Sequence, residues 1–397
     1  MDALSTSHQV DKKRIGLYLL CAFGIAWTAS LYIYLTGGLA GKPVLFGLNR
    51  ALILVAVAVM PAPAIAHILT RLVTREGWRD LKLWPKLRRR GWLYWLLAWL
   101  VTPLLVLVGA AIYFLFFPQH FDPSLTQFRQ MLEQMSGRAL PVPIETVIAA
   151  QALQGIMIGP LVNALFILGE EFGWRAYLQP KLLPLGWRTA MIAMGVIWGL
   201  WHAPVILMGY NYGTTYPGAP WAGVLMMCWM TFVTGTWFGW LALKGHSVWP
   251  AVIGHGSING FAPIALLAVT GQPNTLLGPA ITGIVGSLGF TAVALILLLR
   301  TPPEAASEAQ PLGYADASRS QSRTADRKHA ASGQRSGIST SSSPTHPTGA
   351  SAALPRNAIP AIARDLRRSR RRGQGRLVHE RRRLPAAAAR GRARPHR

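Results

Sequence analysis

Three short clusters of ionisable and amide residues stand out in the second half of the chain: Glu170, Glu171 and Arg175; Trp198 and His202; His255 and Asn259. Each falls in or beside an apolar stretch, where a charged or strongly polar side chain is costly in lipid and marks a functional site by default. Spacing sorts the residues within each cluster. Glu171 and Arg175 are four apart and share a helical face, so they can pair across one turn. Glu170 points about 100° away, as follows from 3.6 residues per turn. One carboxylate is thus held by Arg175 and the other is free for a different task. Trp198 with His202, and His255 with Asn259, are likewise pairs four residues apart that present both side chains to one face.

If the three segments pack together, one Glu, two His and one Asn converge. A carboxylate and a neutral imidazole can take a proton from water and return it to a leaving amine, which is general acid/base catalysis. Asn259 supplies an amide donor for a tetrahedral oxyanion. Equally, Glu170, His202 and His255 make a His2Glu set, the ligand type of catalytic zinc with an open position for water. The sequence leaves metal-free and metal-bound water both open. Plainer roles compete with these. Glu171 with Arg175 reads as a structural ion pair at a helix end, and a single membrane His often serves as a hydrogen-bond partner between helices. His67 has no acidic or amide companion nearby and reads as structural, and His246 as a solvated loop residue. Three costly clusters on three apolar segments favour a shared site.

The elements that must position these residues are membrane helices. Of 397 residues, 51% are hydrophobic and only 14% charged, with 15 Trp; soluble domains carry about 25% charged residues. Eight apolar windows approach the ~20 residues that span a bilayer: 15–35, 51–73, 92–117, 147–168, 191–208, 221–243, 248–270 and 279–299. The fifth is short and the seventh carries polar residues. The fold class expected is therefore all-α, a polytopic membrane protein of about eight helices. The first window reads as a spanning helix rather than a cleavable signal. In the longest outer loop, Asp122 as N-cap and Pro123 in the first turn precede apolar residues at helical spacing, which predicts a short helix on the membrane surface.

The net charge of +25 suggests nucleic acid at first sight, but residues 301–397 hold 20 of the 40 Lys+Arg against 6 Asp+Glu, and the remainder lie between apolar blocks. No clustered basic groove on a folded surface follows, so nucleic acid is not an expected partner. Cys21 and Cys228 are the only cysteines, which excludes a disulfide framework or a cysteine zinc site. With both termini cytoplasmic, eight crossings place sixteen Lys and Arg inside and leave only Lys42, Arg50, Arg129 and Arg138 outside, the segregation of the positive-inside rule. Residues 1–14 are then a cytoplasmic N-terminus and 15–300 the membrane domain. Residues 301–397, rich in Arg, Ser and Ala, have no apolar periodicity and are predicted to be disordered. They read as a solvated tail or as an arm drawn to anionic lipids.

In this order, Glu-Glu-x-x-x-Arg (Glu170, Glu171, Arg175), aromatic-x-x-x-His (Trp198, His202) and His-x-x-x-Asn (His255, Asn259) resemble the CPBP family of intramembrane proteases, the CAAX protease and bacteriocin-processing group also called Abi. The resemblance covers roughly residues 147–270. It implies an eight-helix endopeptidase of the cell (inner) membrane that cleaves CAAX-like or other membrane-associated peptides, lipidated ones among them. It further implies that Glu170 and His202 activate water, that His255 and Asn259 stabilise the oxyanion or bind metal, and that Glu171 and Arg175 orient the site. Zinc dependence is left open by the family name. Trp198 departs from the commoner phenylalanine, a change expected to touch the cavity wall and not the chemistry. The competing reading is a transporter or immunity-type peptide-binding protein using the same polar groups. An inverted repeat would favour the transporter, and none is visible. A conflict of depth remains: counted from Arg188 at the inner surface, His202 lies about 21 Å deep at the helical rise, whereas Glu170 is expected near that surface.

Overall fold

The computed structural model describes residues 10–300 apart from Phe46 and Arg89, together with Pro302. The first nine residues and the tail of 301–397 except Pro302, with the expectations attached to them, lie outside the described residues. Among the described residues the protein is helical, with one small hairpin of Pro43–Leu45 and Leu48–Asn49. The helices are α1 (Lys12–Leu35), α2 (Arg50–Thr74), α3 (Gly91–Phe116), α4 (Thr126–Ser136), α5 (Ile144–Met157), α6 (Gly159–Leu185), α7 (Trp187–Trp201), α8 (Ala203–Leu207), α9 (Trp221–Lys244), α10 (Trp249–Leu267) and α11 (Leu288–Leu299).

Each of the eight apolar windows holds helix, but not always a full span. α1, α2, α3, α9 and α10 are long and apolar enough to cross a bilayer, and α5 with α6, bent by 45°, makes a sixth if counted as one span. α7 has 15 residues and α11 has 12, below spanning length. α7 stops where Pro204 removes a backbone donor from the following turn. α4 begins at Thr126, later than the sequence suggests: Pro123 lies before it, while the Asp122 carboxylate reaches over to accept from the Gln127 amide at 3.0 Å.

The larger correction concerns depth. The window ending at Leu168 closes too early, because α6 continues to Leu185 through a π-helical turn at Trp174–Leu178. Glu170 therefore lies mid-helix and not at the helix end, with Gly169 packed on Met60 and Pro61 in the middle of α2. Counted back from Leu185 it is about 22 Å deep at 1.5 Å per residue, which matches His202 and removes the conflict. Hydropathy ended the window at three charged residues whose charges are in fact answered inside the bundle.

Small residues let the site helices approach. A Cβ at Gly173 would lie 2.3 Å from Pro63 of α2; one at Gly199 would lie 2.4 Å from the Cys228 Cα of α9; one at Gly256 would lie 2.8 Å from the Pro160 carbonyl of α6. Gly169/Gly173, Gly195/Gly199 and Gly256/Gly260 are each four apart on one face, the small-x-x-x-small pattern by which membrane helices pack backbone to backbone. Thr231 of α9 adds a hydrogen bond across to the Gly195 carbonyl at 2.8 Å. Facing outward instead are Leu20, Leu31, Leu104, Leu165 and Leu225, all exposed, as suits a surface solvated by acyl chains.

Hydrogen bonds gather the basic segments at one end of the bundle. Arg14 binds the Thr74 hydroxyl, Arg188 the Leu298 carbonyl, and the Val248 amide the Lys82 carbonyl. Several of the cations that the sequence assigns to the inner side lie at this end; Arg175, counted among them, is instead buried within the bundle beside Glu171.

Candidate active site

α6 supplies the carboxylates, and both are buried. The Glu170 Oε2 accepts from the indole Nε1 of Trp198 at 3.1 Å. Glu171 faces elsewhere: its Oε1 is 2.8 Å from His255 Nδ1 and accepts from Arg175 Nη1 at 3.3 Å, while its Oε2 is 3.2 Å from Arg175 Nε. The two neighbouring carboxylates are thus held by different partners, as their 100° separation requires. Arg175, buried one helical turn on, lies over the Trp198 ring at 4.5 Å and the Phe238 ring at 5.7 Å. Such a desolvated guanidinium over aromatic faces gains both cation–π attraction and shape. Glu171 and Arg175 therefore form more than an ion pair at a helix end, because they also fix the second histidine.

The hydrogen bonds define the tautomers. A carboxylate oxygen can only accept, so His255 donates from Nδ1 and keeps Nε2 as its free acceptor. His202 sits at the break between α7 and α8, and its Nδ1 donates to the Trp198 carbonyl at 2.8 Å. Helix geometry would ordinarily send the His202 backbone amide to that carbonyl. Here the amide turns instead to Gly199 at 3.1 Å, leaving Trp198 to orient the ring. His202 too is left with Nε2 for chemistry. Trp198 consequently does two jobs, holding Glu170 through its indole and His202 through its backbone, so its place is not confined to the cavity wall. The His255 ring is clamped by Phe238, stacked at 5.5 Å, and by the edge of Trp198 at 5.2 Å.

Glu170, His202, His255 and Asn259 line one cavity of about 130 Å³, with Trp198 in its wall. The volume suits a few water molecules or the reacting segment of a chain. Asn259 is exposed at this cavity and Glu170 is buried in it. Tyr210, Asn211, Thr234 and Phe238 also line it, among apolar neighbours, and are not singled out from the sequence. The signals were weak: Thr234 and Phe238 are four apart on α9 but resemble ordinary core residues, and Tyr210–Asn211 lie in the connection after α8. Among the described residues no three His, Cys, Asp or Glu side chains are grouped to hold a metal ion. Glu170, His202 and His255 share the cavity without forming a ready-made ligand set.

His67 takes the structural part expected of it, in more company than the sequence suggested. Its Nδ1 donates to the Phe172 carbonyl at 2.9 Å and its Nε2 accepts from Arg71 Nε at 2.6 Å, so both nitrogens are used.

Residues 145–261 match the family model described as Rce1-like, type II CAAX prenyl endopeptidase. Residues 145–261 are thus similar to the CAAX prenyl endopeptidase family, and they lie among apolar helices long enough to cross a membrane. The matched segment runs from the start of α5 to Phe261 in α10 and contains all seven residues of the three clusters. A comparison with curated proteins finds no match.

Proposed function

We propose that the protein is an intramembrane endopeptidase in which Glu170 and His202 activate a water molecule within the membrane-embedded cavity. The observation that carries the reading is that Glu170, His202, His255 and Asn259, drawn from three separate parts of the bundle, line one cavity. Glu170 and the Nε2 of His202 take the proton from water, and the hydroxide adds to the scissile carbonyl. The Asn259 amide donates to the oxyanion that forms; His255 joins it only as the imidazolium, when Nε2 as well as Nδ1 carries a proton. Collapse of the tetrahedral intermediate breaks the C–N bond, and the proton first taken from water passes to the leaving amine. Such proton transfer contributes about 10²- to 10⁴-fold in rate, and a placed oxyanion donor about 10²- to 10³-fold. Glu171 and Arg175 act through His255, keeping its ring oriented and its Nε2 free.

CAAX-like peptides, prenylated ones included, are the substrate class suggested by the matched family. The basic end of the bundle is assigned to the cytoplasmic side, with both termini there, by the positive-inside rule, in a cell or inner membrane. The test is cleavage of a peptide library, with prenylated and unprenylated CAAX peptides, by purified protein in detergent. Wild type is expected to cleave and Glu170→Ala and His202→Ala to lose cleavage while melting normally, with chelator leaving the wild type unaffected. Zinc-restored cleavage after chelation would replace water activation by Glu170 and His202 alone. A folded wild type that cleaves nothing would return the site to the transport or peptide-binding reading.

A further inference from the structure

The active-site cavity extends toward one end of the bundle and not the other. Its level on α2 is marked by Glu170, whose neighbour Gly169 packs on Met60 and Pro61. From Met60 the lining follows α2 only toward its start, through Val59 and Val55 to Leu52. It then takes in Leu39 from the connection after α1, and Tyr210 and Asn211 from the connection after α8. Leu52 lies about 12 Å from Met60 at 1.5 Å per residue, the reach of about four residues of extended chain. In the other direction Thr74, bonded to Arg14 at the basic end, lies about 21 Å from Met60 on the same count. Among the described residues, none beyond Met60 on that half of α2 lines the cavity.

Packing accounts for the asymmetry. Between Glu170 and the basic end, α6 carries Trp174, Tyr177, Leu178 and Leu182, all buried, with Leu241 of α9 buried in the same core. Nearby, Gln179 donates to the Gly239 carbonyl at 3.1 Å, and a Cβ at Gly239 would lie 2.8 Å from the Gln179 Oε1. An interior filled in this way leaves no passage for a chain. Toward the opposite end the lining loosens. Glu170 is 4% exposed, whereas Leu52 and Tyr210 are each 40% exposed and Asn211 is exposed. That rim is held in place all the same. Tyr212, next to Asn211, is buried in one cluster with Ile206, Val224 and Met227, and its hydroxyl donates to the Thr282 carbonyl at 3.0 Å. Asn211 itself turns in the left-handed conformation (φ 65°), which asparagine adopts more readily than most residues.

We propose that a substrate polypeptide enters the cavity from the end of the bundle opposite the basic one, over the rim of Leu39, Leu52, Tyr210 and Asn211. The inference rests on the endopeptidase reading, and the positive-inside rule makes that end the outer face. The substrate class is then a polypeptide that displays an extended segment at the outer surface, a CAAX-like end included only where it is displayed there. The test uses the full chain with Cys21→Ser and Cys228→Ser, carrying either Asn211→Cys or Lys13→Cys, the latter exposed in the first turn of α1. In intact cells a membrane-impermeant maleimide is expected to label Asn211→Cys, and to label Lys13→Cys only once the cells are made permeable. In detergent, a bulky maleimide on Asn211→Cys should stop peptide cleavage relative to the same variant unmodified, while on Lys13→Cys it should leave cleavage unchanged. Should Asn211→Cys fail to fold, Leu39→Cys on the same rim takes its place. Labelling in the reverse order, or cleavage untouched by modification of the rim, would overturn the proposal. A wild type that cleaves nothing would instead overturn the endopeptidase reading on which it rests.

Discussion

Two polar networks lie along the same stretch of α6, and they differ in how completely they are satisfied. On one side, His67, Arg71, Glu76, Tyr177 and Lys181 bind one another and the backbone: the Tyr177 hydroxyl donates to Glu76 at 3.0 Å, Lys181 pairs with Glu76, and Arg71 binds His67 and the Gly77 carbonyl. Both nitrogens of His67 are occupied. On the other side, His202 and His255 each spend Nδ1 on orientation and keep Nε2, and Glu170 uses one oxygen on Trp198. Histidine count does not separate the two networks. What does is whether a lone pair remains and a cavity meets it, since a closed polar network rigidifies a fold whereas a general base needs an unspent acceptor.

The sharpest break between the networks is expected from exchanging their losses. Glu170→Gln and His202→Gln should each reduce peptide cleavage by about 10³-fold with melting behaviour near wild type. His67→Ala should do the reverse, costing about 3 kcal/mol of stability because Arg71 and the Phe172 carbonyl lose a buried partner, while the folded fraction cleaves within tenfold of wild type. Cleavage abolished in a stable His67→Ala protein would erase the distinction. Gly199→Val comes next, expected to cost about 2 kcal/mol by pressing α7 off α9, and measurable as a lower midpoint of thermal unfolding in detergent.

Trp198→Phe sharpens the comparison within the active cavity. Phenylalanine keeps a ring under Arg175 and the backbone carbonyl for His202 but removes the donor to Glu170, so kcat should fall about tenfold, the kinetic equivalent of roughly 1.4 kcal/mol, at unchanged KM. The smallest effect lies in the closed network. Half-burial would push the Glu76 carboxyl up, but the hydrogen bonds and charges of Lys181, Tyr177 and Arg71 outweigh this and hold it below the ordinary glutamate value. The stability it contributes is fully present above about pH 4.3, the unfolded-state value, and is lost as pH falls through the depressed folded one. Glu76→Gln should flatten that acid limb of the unfolding midpoint against pH and leave the neutral range parallel to wild type.

How much of this was legible beforehand varied with the interaction. The i,i+4 pair Glu171–Arg175 could be read directly, because both partners sit on one helix and its period fixes their meeting; the bond of His202 to the Trp198 carbonyl depends instead on the break after Trp201. The partnership of Glu171 with His255, 84 residues away, and of Glu170 with Trp198 depends on how α6, α7 and α10 cross. The glycine pairs that set those crossings were not singled out from the sequence. Hydropathy also misjudged where α6 ends, since it counts a charge as exposed whether or not an opposite charge lies beside it.

The sequence by itself determined the class of the protein, its apolar helices and the seven residues at issue, because hydrophobicity and helical period are local properties. Only the tertiary structure decided that Glu171 also holds His255, which imidazole nitrogen remains free, and that His67 is closed off. A hydrogen bond between helices is set by backbone approach and side-chain angle, and neither is encoded at the position of a single residue.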